Sequence, residues 1–245
     1  MSYKEARRGY DPSAIRSRFG YDVRYIIVRP DLFAFAAAKD DAMIKVHTLR
    51  ILRERKADAA NDNALIVKAL KDKNPHVQRA AIEVFAKYPD LKSLEKVLAF
   101  RKTIPDYDSH MLYTARLVER NILRHGTNMQ QVADLKWSDA DAANIADVLA
   151  GVPSEASGAF LAKYMETHTV PAIKVPSTYQ HLARFAPASQ LDKIISTARQ
   201  KSGDDVEISY LTLKGVRLGL AQRDAKENAE IGQWARTLAD KNPYS

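Results

Sequence analysis

The side chains able to do chemistry are few, and most stand where helix ends need them. Six histidines occur, His47, His76, His110, His125, His168 and His181. None forms a His-Glu-x-x-His pair or other metal spacing, which would project two ligands from one helical face. His47 falls on a predicted apolar stripe and reads as a core or interface histidine, whereas His76 and His110 read as polar residues in first helical turns. The acids Asp106, Asp108, Asp134, Asp139 and Asp141 could pair as acid and base, as glycoside hydrolysis needs. Their places before predicted helices read better as caps that complement the helix dipole. Ser154 and Ser157 lie near Gly151 and Gly158 without making a Gly-x-Ser-x-Gly elbow, and neither a phosphate-cradling glycine loop nor a calcium loop is present. Cysteine is absent, which excludes thiolate metal sites, thiol nucleophiles and c-type haem attachment in this chain. The reading is therefore no catalytic residue, no cofactor and no metal.

The basic residues are the other candidates. Net charge is +8, and residues 1–56 carry thirteen Lys or Arg against seven acids. Such a bias attracts nucleic acid or acidic protein surfaces. Arg50, Arg53, Arg55 and Lys56 cluster at one predicted helix end, and Arg79, Arg101 and Lys102 follow in later units. These seven form the candidate interaction surface. From residue 127 to 245 the balance is thirteen basic residues against fourteen acids, so cations do not recur in every unit as a duplex-gripping surface requires.

The elements that would position these residues come from a repeat. Asp41 to Leu52 and Asn74 to Phe85 superpose at an offset of 33, and a looser copy follows a further 34 on. Val77, Ala80, Ala81, Val84 and Phe85 stack on one face of a helix; Met111, Thr114, Ala115, Val118 and Ile122 do so in the third copy. Two-helix units of this period are the signature of an α-solenoid, which buries its core by stacking neighbours. The expected pairs are Pro30–Ala38 with Asp41–Arg55, Ala64–Leu70 with Pro75–Tyr88, and Leu91–Phe100 with Asp108–Arg124. His125-Gly126 should end the third pair. Further helices are expected from Ser138, from Ser154, over Thr178–Phe185 and Leu191–Ala198, and over Val206–Leu220, which should be well buried on more than one side. A last helix through Ile231, Trp234 and Leu238 should cap the stack. Residues 1–29 stay outside the pattern; Tyr21–Val28 (YDVRYIIV) reads as an extended arm. No run reaches the roughly 18 apolar residues of a membrane span, and MSYKEARRGYDPS has no apolar core of a secretory leader.

The run Asn74-Pro75-His76-Val77-Gln78-Arg79-Ala80-Ala81, ending at Tyr88-Pro89, resembles a HEAT repeat. With Trp137-Ser138-Asp139-Ala140-Asp141, Gly151-Val152-Pro153 and Gly219-Leu220-Ala221-Gln222-Arg223 followed by Trp234-Ala235, the succession is similar to the HEAT-like region of large exported bacterial proteins. In these an N-terminal propeller resembling sugar dehydrogenases precedes the helices, and a jelly roll or haem domain follows. The resemblance implies a right-handed solenoid of antiparallel helix pairs over residues 30–245, and a periplasmic or exported setting. Gln78 stands where such repeats often have Arg, and Ala42 replaces the helix-opening Pro. With no propeller and no Cys-x-x-Cys-His, the implied role is the scaffold: a non-enzymatic protein-interaction module whose partner is a neighbouring domain or another protein. The alternative is a nucleic-acid-binding HEAT-like solenoid, a DNA glycosylase among them. A glycosylase needs groove aromatics and a carboxylate around an extruded base, whereas Trp137 and Trp234 read as packing or capping residues.

Overall fold

The computed structural model describes residues 30–54 and 59–241, and the extended arm expected before residue 30 lies outside them. The described residues form thirteen α-helices and no strand. In chain order these are α1 (Pro30–Ala37), α2 (Ala42–Glu54), α3 (Ala59–Leu70), α4 (Pro75–Val84), α5 (Leu91–Arg101), α6 (Ser109–Leu123), α7 (Asn128–Asp134), α8 (Asp139–Val148), α9 (Glu155–Thr167), α10 (Val175–Phe185), α11 (Leu191–Lys201), α12 (Val206–Ala221) and α13 (Ala229–Asp240). A single 3-10 turn extends α4, another extends α8, and others lead into α10 and α11.

Local sequence sets where these helices begin. Asn74 accepts from the His76 backbone N–H at 2.9 Å, with Pro75 beside it at the first helical position. Asp90, Asp108, Asp205 and Asn228 each accept from an N–H in the first turn of α5, α6, α12 and α13. Each such cap stabilises its helix by about 1 kcal/mol. The reciprocal capping box belongs to Ser154 and Ser157 on α9. At Ser138 the hydroxyl donates to the Asp141 carboxylate at 2.6 Å and accepts from the Asp141 N–H at 3.2 Å. Gly126, with φ of +51°, follows α6 in the left-handed region that favours glycine, as expected of a helix stop.

Packing runs both to the next helix and to the next but one. α3 lies on α4, α5 on α6, α9 on α10 and α11 on α12, while α2 lies on α4, α4 on α6, α6 on α8 and α10 on α12. One apolar core extends from Val46 to Trp234. Val77, Val84 and Phe85 are sealed within it, as their common apolar stripe predicts. The closest contact is α10 with α12. A β-carbon on Gly215 would meet the Pro176 carbonyl oxygen at 2.6 Å, and one on Gly219 the Gln180 oxygen at 2.4 Å. Numbers rise together along both helices, so they run in the same direction. The expectation for α12 is corrected on one side: Tyr210, Leu211 and Leu218 are exposed, and burial is confined to the face carrying Thr212, Gly215, Val216 and Gly219.

Candidate interaction surface

The seven basic residues do not form one free cationic patch. Arg50 is exposed on α2. Arg53 reaches from α2 to Glu83 on α4 at 2.8 Å and also meets Glu54 at 3.1 Å. Arg79 lies 3.4 Å from the same Glu83, one helical turn away. Lys102 pairs with Asp141 at 2.9 Å. Arg55 and Lys56 lie outside the described residues. Arg101 corrects the sequence reading: it is 7% exposed, and its guanidinium is an internal connector rather than a surface group.

Around Arg101 four elements converge. It donates to Glu119 of α6, to Asp147 of α8 and to the Asn144 carbonyl at 3.0 Å. Asp147 also accepts from Arg116 Nε at 2.6 Å and from Lys174, in the turn before α10. Although burial opposes its charge, hydrogen bonds from Lys174 and Arg116 hold Asp147 at a pKa of about 2. Glu119 behaves in the opposite way. Fully buried, with Oε1 lacking a hydrogen-bond partner, it is pushed up to about 7 by desolvation against the pull of Arg101. Such a cluster ties α5, α6, α8 and the start of α10 into one register.

The histidines separate differently from the sequence reading. His47 is exposed, one position round from the buried Val46, which corrects the core half of its reading as a core or interface histidine. His76, His110 and His125 are exposed, and His168 stacks on Tyr164 with ring centroids 4.3 Å apart. His181 is the buried one, on α10, with Nε2 3.0 Å from Ser157 Oγ on α9. A Ser–His contact is the start of a nucleophile–base pair. Here Ser157 is fully buried, and its hydroxyl also meets the Val152 and Ser154 carbonyls at 2.5 and 2.7 Å. With the hydroxyl proton directed to backbone, His181 Nε2–H donates to Ser157. Burial, with Arg184 nearby, lowers the His181 pKa to about 4, so the ring is neutral at neutral pH. Among the described residues no group of three or more His, Asp or Glu could hold a metal ion.

Of the acids read as caps, Asp108 caps α6, and Asp139 and Asp141 lie in the first turn of α8. Asp134 does not cap: it ends α7, a helix absent from the sequence reading. Trp234 is buried and donates to Ser209 Oγ at 2.9 Å. Trp137 donates to the Val132 carbonyl at 2.9 Å, and its half-buried ring also lines a groove of about 530 Å³ between the α7–α8 connection and α9. Phe160, Tyr164, Asp134, Lys136 and Lys163 line the same groove. No helix among the described residues is long and apolar enough to cross a membrane.

No protein-family model matches the chain, and neither does any curated protein or solved structure.

Proposed function

We propose that the chain is a HEAT-like α-solenoid of antiparallel helix pairs that acts as a non-enzymatic scaffold, presenting the even-numbered helices to a protein partner. The observation that carries this reading is the character of the exposed side of those helices. Tyr113 on α6 and Tyr210 on α12 are 64% and 55% exposed, in a series that also presents Arg116, Lys214 and Leu218. Exposed tyrosines among arginine and aliphatic side chains are the composition of protein interfaces, where Tyr and Arg are enriched. Of the candidate cations, Arg53 and Arg79 pair with Glu83, Lys102 pairs with Asp141 and Arg101 lies inside the core. A neighbouring domain or a separate protein would meet the same surface.

A photo-crosslinking residue at position 113 or 210, in the protein's own cell, tests the reading. Both positions should trap one shared protein that a crosslinker at the exposed Lys92 on α5 does not. Absence of any shared product overturns it.

A second reading draws on one feature. Trp137, Phe160 and Tyr164 with Lys136 and Lys163 supply the aromatic and cationic parts of a single-strand stacking platform. It separates from the first by salt: a strand held through phosphates loses affinity steeply as salt rises, and a protein interface of mixed charge does not.

A further inference from the structure

Helix α2 is apolar on two sides, and the described residues cover one of them. Val46, Leu49 and Leu52 are buried, and Leu49 and Leu52 line a small cavity with Leu65 of α3 and Val77 of α4. On the other side Met43, His47 and Ile51 follow one another at one-turn spacing, with Ile44 alongside. Met43, Ile44 and Ile51 are 60%, 41% and 47% exposed, and Phe35 on α1 is exposed too. The last helix differs. Its Ile231 and Trp234 are buried, while Gln233, Arg236 and Asp240 are turned to solvent. A stack of helices needs a polar outer face at each end to stay soluble. The apolar face of α2 breaks that rule, and a contiguous exposed face of this kind marks a contact.

We propose that the chain's own residues 21–28 cover this face, extended along α2 with Tyr21, Val23, Tyr25 and Ile27 against Met43, Ile44, His47 and Ile51. Alternate residues of an extended segment share a side, so these four make one continuous apolar edge. Length and tether both fit. Eight extended residues span about 26 Å, and the 13 residues of α2 span about 20 Å. Only Arg29 separates residue 28 from the start of α1. Helix α1, 8 residues and about 12 Å long, packs on α2, so the chain enters the fold within reach of the face. A segment tethered this closely meets its target at an effective concentration in the millimolar range, far above that of a second copy or a separate partner. Tyr113 and Tyr210 stay free, and the inference does not depend on the scaffold reading.

The chain has no cysteine, so a nitroxide attached to His47→Cys reports from one place. In NMR spectra of the full isotope-labelled chain it should broaden the amides of residues 21–28, whereas a nitroxide on Gln233→Cys, at the exposed side of α13, should not. Ile51→Asp on the helix and Tyr25→Asp on the segment should each remove the broadening while leaving the amide positions of α4 to α13 unchanged. A mixture of nitroxide-bearing chain without isotope and isotope-labelled chain without nitroxide should show no broadening. Sharp amides at 21–28 beside the position 47 label overturn the proposal, as does equal broadening from position 233 or broadening that survives both substitutions. Broadening in the mixed sample overturns it as well, since the occupant of the face would then be a second copy.

Discussion

The Gln180 carbonyl oxygen of α10 occupies the place that a side chain on Gly219 of α12 would need, 2.4 Å from the position of its β-carbon. Two parallel helices approach this closely only because residues 215 and 219, one turn apart, carry no side chain at the contact. Gly→Ala in a helix interior ordinarily stabilises by about 0.5 to 1 kcal/mol. At Gly219 the obstacle is backbone, so the helices must part. Gly219→Ala should therefore destabilise by about 1 to 3 kcal/mol in urea unfolding, the cost of overpacking. Gly232 on α13 is the control: its β-carbon would meet only the tip of Arg236 at 3.9 Å, and Gly232→Ala should be neutral or stabilising.

Asp147 is the one carboxylate shared by Arg101, Arg116 and Lys174. Asp147→Asn keeps the shape and removes the charge, leaving Glu119 as the one carboxylate on the buried Arg101, beside the Asn144 carbonyl. Breaking a buried pair from one side costs about 3 kcal/mol or more, and that loss should appear in chemical denaturation. Lys102→Ala, which removes the half-exposed partner of Asp141, should cost under about 1 kcal/mol.

The two buried titrating groups oppose one another across mildly acidic pH. His181 has a folded pKa of about 4 against 6.5 for the free side chain, so the unfolded chain binds the extra proton between these values, and stability falls as pH drops through that window. Glu119 has a folded pKa of about 7 against 4.5, so its contribution is complete below 4.5 and is lost as pH rises through 7. At 1.36 kcal/mol per unit each amounts to about 3 kcal/mol, and the slopes nearly cancel between pH 4.5 and 6.5. Glu119→Gln should leave a stability that rises from pH 4 to 6.5. His181→Gln should leave one that falls from pH 4.5 to 7. Denaturant midpoints measured across pH 4 to 8 for the three proteins check both signs.

The helices were legible where each carries its own apolar stripe: Val77, Ala81 and Val84 in α4, with Phe85 in the turn that extends it, and Met111, Ala115, Val118 and Ile122 in α6 are all buried. Phe85→Ala should accordingly cost about 3 to 5 kcal/mol as a core cavity. Helix α7 was not legible, since seven residues offer only Met129 and Val132 to a periodic pattern. Arg101 was misread because nothing adjacent in sequence marks it. Glu119 and Asp147, the acids that draw it inward, lie 18 and 46 residues on, and only the stacking of α5, α6 and α8 brings them together. The exposed side of α12 was misread for a related reason. Val206, Tyr210, Leu211 and Leu218 are as apolar as core residues, and pattern alone does not say which side a neighbour will cover.

In the proposed scaffold, Arg53, Arg101 and Lys102 are held by acids of the fold, and the exposed tyrosines would meet a protein. Titration of labelled duplex and single-stranded oligonucleotides between 50 and 200 mM salt tests it most directly. The account predicts at most weak binding at the low end, weaker than about 10 µM at the high end, as expected when few phosphates are neutralised. Sub-micromolar affinity persisting at 200 mM salt and lost in Trp137→Ala would contradict it, and would make the groove between the α7–α8 connection and α9 a nucleic-acid site.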